Sequence, residues 1–288
     1  MERKVERVLK GQPTIEGAGV RLKRVFGYYE VPAMDPFLLL DHFGSENPND
    51  YVKGFPWHPH RGIETVTYMW DGEVEHGDSI GNSGVIKSGD AQWMTAGSGI
   101  LHQEMPKRFD GLMRGFQLWV NLPAKKKMTP PKYRGIEKQE IPIIQKNGLK
   151  IKVLAGKIDG TEGPVRDLSV DVEYLDVELA AVKTFNHAAP ENHKVFAYVV
   201  NGSIEVQDKT IEQGHCAVFG KGENVGIRSK EGAHFLFVMG EPLKEPVAWG
   251  GPIVMNTQAE LAKAFEELDE GTFIKTVKPT NPKKGVKG

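Results

Sequence analysis

The chain has 288 residues, 39% hydrophobic and 26% charged, a composition suited to one large folded domain or two of ordinary size. Its formal net charge of −1 gives no electrostatic pull toward nucleic acid or an anionic membrane, so neither is expected as a direct partner. Cys216 is the only cysteine, which excludes an intrachain disulfide and reads as a small buried apolar residue.

The opening residues, MERKVERVLKG, are charged throughout and carry no apolar signal region. The longest apolar runs are too short to cross a bilayer as helices, and a cytoplasmic protein is expected. Most of the remaining sequence is written in strands: VTYMW (66–70), LKIKVLAG (149–156), VDVEYLDVEL (170–179), KVFAYVV (194–200) and HFLFVMG (234–240). Turn formers separate them at 71–72, 81–84, 88–90, 147–148, 201–202 and 220–222, a rhythm that predicts an all-β barrel or sandwich. The proline-bearing, basic stretch 123–135 reads as a linker. Near the C-terminus, Thr257 and Glu260 fit a capping box, Leu261, Phe265 and Leu268 share a helical face, and Gly271 is a stop. The last residues, KPTNPKKGVKG, read as a frayed basic tail. The expected units are thus a barrel over 1–124, a linker region over 125–148, a second barrel over 149–255, and a helix with tail over 256–288.

The two halves can be laid on each other. MWDGEVE (69–75) matches VVNGSIE (199–205), and VIKSGDAQWMTAG (85–97) matches TIEQGHCAVFGKG (210–222), aligning Gly89 with Gly214. Counting back from Gly72 reaches His58 and His60, whereas the same steps from Gly202 reach Ala188 and Pro190. Counting forward from Gly89 reaches His102, but from Gly214 the same step gives Ile227. Three histidines are present in one copy and absent from the other, as a metal site confined to one barrel requires.

In FPWHPHRGIE (55–64), His58 and His60 stand at i and i+2 and so share one face of a strand, with Pro59 on the other. In GSGILHQEM (97–105), His102 and Glu104 repeat that spacing. Together they offer three imidazoles and a carboxylate, a donor set suited to Fe(II), Mn(II), Ni(II) or Zn(II) and unlike the thiolates of iron–sulfur or structural zinc sites. Glu64 has the parity of His60 and would also face inward along a regular strand, so it stands as an alternative ligand.

FPWHPHRGIETVTYMWDG and SGDAQWMTAGSGILHQEMP resemble the signature of pirins, which are bicupins of the cupin superfamily. DPFLLLDHFG, GFQLWVNLP, GEPLKEPV and GPIVMNT are similar to pirin segments too, so the resemblance covers nearly the whole chain. It implies two cupin-type β-barrels with one divalent metal ion in the first, most often iron although Mn, Ni, Zn and Cu also suit the ligands. The residues matching the ligands are His58, His60, His102 and Glu104, and Glu64 becomes a hydrogen-bond partner or gate. It also implies one of two functions. One is a quercetin 2,3-dioxygenase-type oxidoreductase that opens a flavonol or related aromatic enol, with Glu104 as general base. The other is a non-enzymatic, iron- and redox-responsive regulator that binds a protein partner. Such a chain can stand as a monomer.

Among the remaining residues, Phe55, Trp57, Trp93 and Met94 are candidates for an aromatic pocket wall. His76 and Asp78 read as exposed loop residues that could line the pocket, and His42 reads as structural. GKGENVG (220–226) lacks the spacing of a phosphate loop, and neither a nucleophile elbow nor a dinucleotide fingerprint is present.

Overall fold

The computed structural model describes residues 1–31 and 33–275. The expected all-β architecture is present, with one α-helix among the described residues, over Gln258–Asp269. In the first barrel, one sheet runs in the order Lys132–Ile136, Ala91–Thr95, Ile63–Asp71, Met113–Asn121, Phe37–Ser45, Val20–Phe26, Gln12–Glu16. A second sheet runs Phe55–His60, Ile100–Pro106, Val74–Asp78, Ser83–Ile86. All these neighbours pair antiparallel, and alternate side chains from both sheets meet inside, where Val20, Leu22, Phe43, Met69, Val74 and Met113 cluster. The second barrel is built round Lys194–Val206, Ala233–Gly240 and Val172–Leu179, with Phe185, Val199, Phe235 and Phe237 in its interior.

The internal repeat is visible in the backbone. Gly72 and Gly202 have φ of +103° and +73°, and Gly89 and Gly214 have φ of +89° and +77°, so both copies turn at the same glycines. Ile227, the counterpart of His102, is fully buried in the apolar interior of the second barrel.

Strand pairing crosses the expected unit boundaries in three places. Val5–Lys10 pairs with His215–Phe219, so the N-terminal strand belongs to the second barrel. The expected linker supplies Lys132–Ile136 to the first barrel and Ile143–Lys146 to the second. The hairpin Ala248–Gly250 and Ile253–Met255 leans on the first barrel, where Ile253 bridges to Arg61. Val5–Lys10 and Lys132–Ile136 each cover a sheet edge that would otherwise expose unpaired N–H and C=O groups, and each reaches it from a distance in sequence.

The largest core cluster lies between the barrels and mixes Phe37, Tyr68, Phe116 and Leu118 of the first with Tyr174, Phe196, Tyr198 and Leu236 of the second. Phe196 meets Phe26 and Phe37 edge-on, at 5.3 and 5.2 Å between centroids. Cys216 lies fully buried in this layer, as an apolar residue would. The helix begins as expected, with Thr257 Oγ1 accepting the Glu260 N–H while Glu260 reaches back to the Thr257 N–H. Leu261 is buried, Phe265 is 38% exposed, and Gly271 comes after the helix at φ +71°. The basic tail from 278 lies outside the described residues. Among the described residues, no helix is long and apolar enough to cross a membrane.

Candidate metal centre

His58 and His60 lie on Phe55–His60, and His102 lies on the neighbouring Ile100–Pro106, with His102 directly opposite His58. One nitrogen from each of the three rings falls within 4.8 Å of the others. His58 Nδ1 is 2.8 Å from the Pro56 carbonyl oxygen, and His60 Nδ1 is 3.0 Å from that of Pro252. A carbonyl can only accept, so in each ring Nδ1 carries a proton, and in the neutral ring Nε2 presents a lone pair. The two Nε2 atoms stand 3.1 Å apart. Two facing lone pairs repel unless a cation lies between them.

His102 is wholly buried, and neither of its ring nitrogens has a hydrogen-bond partner among the described residues. Its ring centroid lies 4.3 Å from that of His58 and 5.0 Å from that of His60. Burial pushes the His102 pKa well below the usual range, reinforced by the charges His60, His58 and His76 would carry. Burial, with His58 beside it, likewise takes His60 down to about 3, against a smaller upward pull from the Pro252 carbonyl. Both buried imidazoles are therefore neutral at pH 7, the form in which a borderline divalent metal takes histidine as a ligand. The residues present fit such an ion.

Glu104 shares the inward face of His102 but lies outside the tight triad. Its Oε1 accepts a 2.8 Å hydrogen bond from the Thr67 hydroxyl. Glu64 is placed differently from the regular-strand expectation. Between Phe55–His60 and Ile63–Asp71 the chain passes from one sheet to the other through Gly62, at φ +79°, where an added Cβ would lie 1.9 Å from the Val254 carbonyl oxygen. That turn resets the alternation. Thr67 faces the barrel interior, whereas Glu64 shares a face with Val66 and Tyr68, toward the second barrel. Its buried carboxylate accepts from Trp93 Nε1 at 3.0 Å and Thr95 Oγ1 at 2.7 Å.

His76 and Asp78 are not loop residues. Both are buried on Val74–Asp78, with His76 Nε2 3.2 Å from Asp78 Oδ2 and the His76 ring stacked on Tyr133 at 4.6 Å. Asp78 also accepts the backbone N–H groups of Ile80 and Asn82, and so ties down the loop beyond the strand. Trp93 and Met94 are fully buried core residues, removed from the pocket wall. His42 is structural, its Nδ1 2.8 Å from the Tyr198 hydroxyl.

The centre opens into a cleft of about 730 Å³, in the range of small-molecule sites. Phe55 and Trp57 line it as expected, joined by Trp119 and Trp249, and His58, His60 and Glu104 reach it. Trp249 and Pro252 come from the hairpin after the second barrel. Pro252 acts through a backbone carbonyl, a role with no sequence signal of its own beyond the family-like segment GPIVMNT.

Residues 19–120 match the family described as Pirin, and residues 174–274 match the Pirin C-terminal cupin domain. A pirin-like protein from Caulobacter vibrioides is 44% identical over 94% of this chain and 99% of its own length. Human pirin is 39% identical over 87% of each chain. Among solved structures, a quercetin 2,3-dioxygenase from Acinetobacter baumannii superposes with a TM-score of 0.88 at 35% identity, covering 95% of this chain and 99% of its own. With both barrels matched in order, and the relatives aligned along almost their whole length, the chain belongs to the pirin family.

Proposed function

We propose that this pirin is a metal-dependent dioxygenase in which Fe(II), held by His58, His60, His102 and Glu104, serves the opening of a flavonol or related aromatic enol by O2. The observation that carries the reading is His102, wholly buried with two unpartnered nitrogens, beside His58 and His60, whose converging Nε2 atoms reach an aromatic-walled cleft. The name of the structural neighbour from Acinetobacter baumannii supports the reaction class.

A bound divalent ion would supply Lewis acidity, lowering the pKa of a substrate hydroxyl. The chain's own residues do the rest. His58 and His60 are fixed in the correct tautomer by the Pro56 and Pro252 carbonyls. Glu104, steadied at Oε1 by Thr67, takes the substrate's hydroxyl proton as general base. Phe55, Trp57, Trp119 and Trp249 sandwich the rings and exclude water. Both atoms of O2 enter the product, so no external reductant is required.

A second reading is a metal- and redox-responsive regulator that docks on a protein partner. It is favoured by the aromatic residues displayed near the cleft: Trp57 is 56% exposed, Tyr28 61% and Tyr29 93%. Anaerobic loading with Fe(II), followed by quercetin and oxygen, separates the two. Oxygen uptake and loss of flavonol absorbance in the parent, with neither in His102→Ala, is the expected result. Absence of turnover with one iron bound per chain would overturn the enzyme reading in favour of the regulator.

A further inference from the structure

Inside the first barrel, a row of polar side chains crosses neighbouring strands along the wall of the cleft. Gln117 stands opposite Thr67 on one side and Asp41 on the other, and Asp41 stands opposite Arg24. From Thr67 to Arg24 the row spans three strand spacings, roughly 14 Å. Thr67 Oγ1 lies 2.8 Å from Glu104 Oε1 and 2.6 Å from Gln117 Oε1. A hydroxyl has one proton. If Thr67 gives it to the carboxylate, Gln117 turns its NH2 toward Thr67 and its amide oxygen toward the cleft. At the far end, Arg24 grips Asp41 through Nε at 2.9 Å and Nη2 at 2.8 Å, while Nη1 holds Glu16 at 2.8 Å. Leu22, Leu39 and Phe43 give the same cleft an apolar side.

Polar groups inside a barrel are costly unless something satisfies them. Arg24 accounts for the charge of Asp41, which is only 5% exposed. Within the described residues, Thr67 is the only hydrogen-bond partner of the Gln117 side chain, which leaves one end of its amide facing the cleft. With the Gln117 amide so turned, what the row offers a ligand is acceptors: the Gln117 oxygen and the outer lone pairs of Asp41. Acceptors call for donors. Two carboxylates, Glu16 and Asp41, also outnumber the single Arg24, so an anionic group at this end is repelled.

We propose that Gln117 and Asp41 form a subsite that reads phenolic hydroxyls, so that the cleft takes an uncharged, planar, multi-ring aromatic with hydroxyls on the ring far from the histidines. The proposal rests on the reading of the cleft as a substrate site, and it adds which end of the ligand is recognised and by which residues.

Zn(II)-loaded protein provides the test, because zinc has no redox chemistry and flavonols then bind without being consumed. Quercetin, 3-hydroxyflavone and a carboxylated 3-hydroxyflavone are titrated in turn, with tryptophan fluorescence quenching as the readout. One charge-assisted hydrogen bond gained implies that quercetin binds about tenfold tighter than 3-hydroxyflavone, with the carboxylated compound weakest. Gln117→Leu and Asp41→Asn should each narrow the quercetin preference to about twofold. If Asp41→Asn fails to fold, Gln117→Leu decides alone. Equal affinities in the parent, or a preference that survives Gln117→Leu, would overturn the subsite. Iron-loaded protein that shows the preference but consumes no oxygen would overturn the dioxygenase reading and leave the subsite standing.

Discussion

At the scale of single residues, the two glutamates near the histidines separate into different jobs. Glu64 has both carboxylate oxygens engaged by Trp93 and Thr95 on the side facing the second barrel, whereas Glu104 points inward with His102. Glu64→Gln should therefore retain one metal per chain in equilibrium dialysis, while losing about 1–2 kcal/mol of stability as one charge-assisted bond weakens. Glu104→Gln should fold normally and, under the proposed four-residue site, bind the metal at least about tenfold more weakly. Equal metal affinity in the two variants would mean that three histidines alone hold the ion. The histidine set itself was legible because alternate residues share a strand face, and HPH and HQE obey that rule. The orientation of Glu64 was not, because parity carries across a sequence only while the strand continues. Gly62 interrupts it, and nothing in RGIE distinguishes a turn from a strand that runs through.

At the scale of elements, the segment from Ala248 to Phe273 is fastened to the first barrel chiefly by Arg61. Its Nε donates to the Ser98 carbonyl and its Nη2 to that of Phe273, both at 2.8 Å. Its Nη1 pairs with Glu267 at 2.8 Å, and the guanidinium lies 4.1 Å from the Phe273 ring centroid. Lys127 adds a second tie, donating to Gly62 O and Val254 O at 2.8 Å. These anchors flank Pro252, whose carbonyl fixes His60. Arg61→Ala should cost roughly 2–5 kcal/mol, because two buried carbonyls lose their donor at about 1–3 kcal/mol each, while Glu267 keeps Lys275 as a partner. It should also raise amide hydrogen exchange over Gln258–Asp269 and weaken metal binding, although Arg61 is no ligand. Unchanged exchange in the helix would show that the remaining contacts suffice to dock it. The helix was legible from its capping box and apolar spacing, both local signals. Its docking surface was not, and neither was the pairing of Val5–Lys10 with His215–Phe219, since partners some two hundred residues apart leave no periodicity to read.

At the scale of the whole molecule, the barrels share a core and a set of polar ties, so they should unfold together. Tyr68 of the first donates to Asp176 of the second at 2.5 Å, and Asp176 is also held by Lys152 and His234. His42 makes a second tie, with its ring against Phe116 at 4.7 Å and Nδ1 bonded to Tyr198 across the interface. Burial, then the charges of Lys23 and Arg114, lowers the His42 pKa from 6.5 to about 3. Between pH 6.5 and 3 the unfolded chain binds a proton at this residue that the native protein refuses, so stability falls as pH drops through that window. By pH 4.5 the loss from this one histidine should be about 2 kcal/mol, allowing for its partial exposure. Urea unfolding of metal-free parent and His42→Asn at pH 7.5 and 4.5 checks it, because the parent should lose more stability on acidification than the variant by about that amount. Both should show a single transition by near- and far-ultraviolet circular dichroism, since the tie lies between the barrels. An acid loss equal in parent and variant would mean that His42 takes up its proton within the fold, and that the contact with Tyr198 opens without unfolding either barrel.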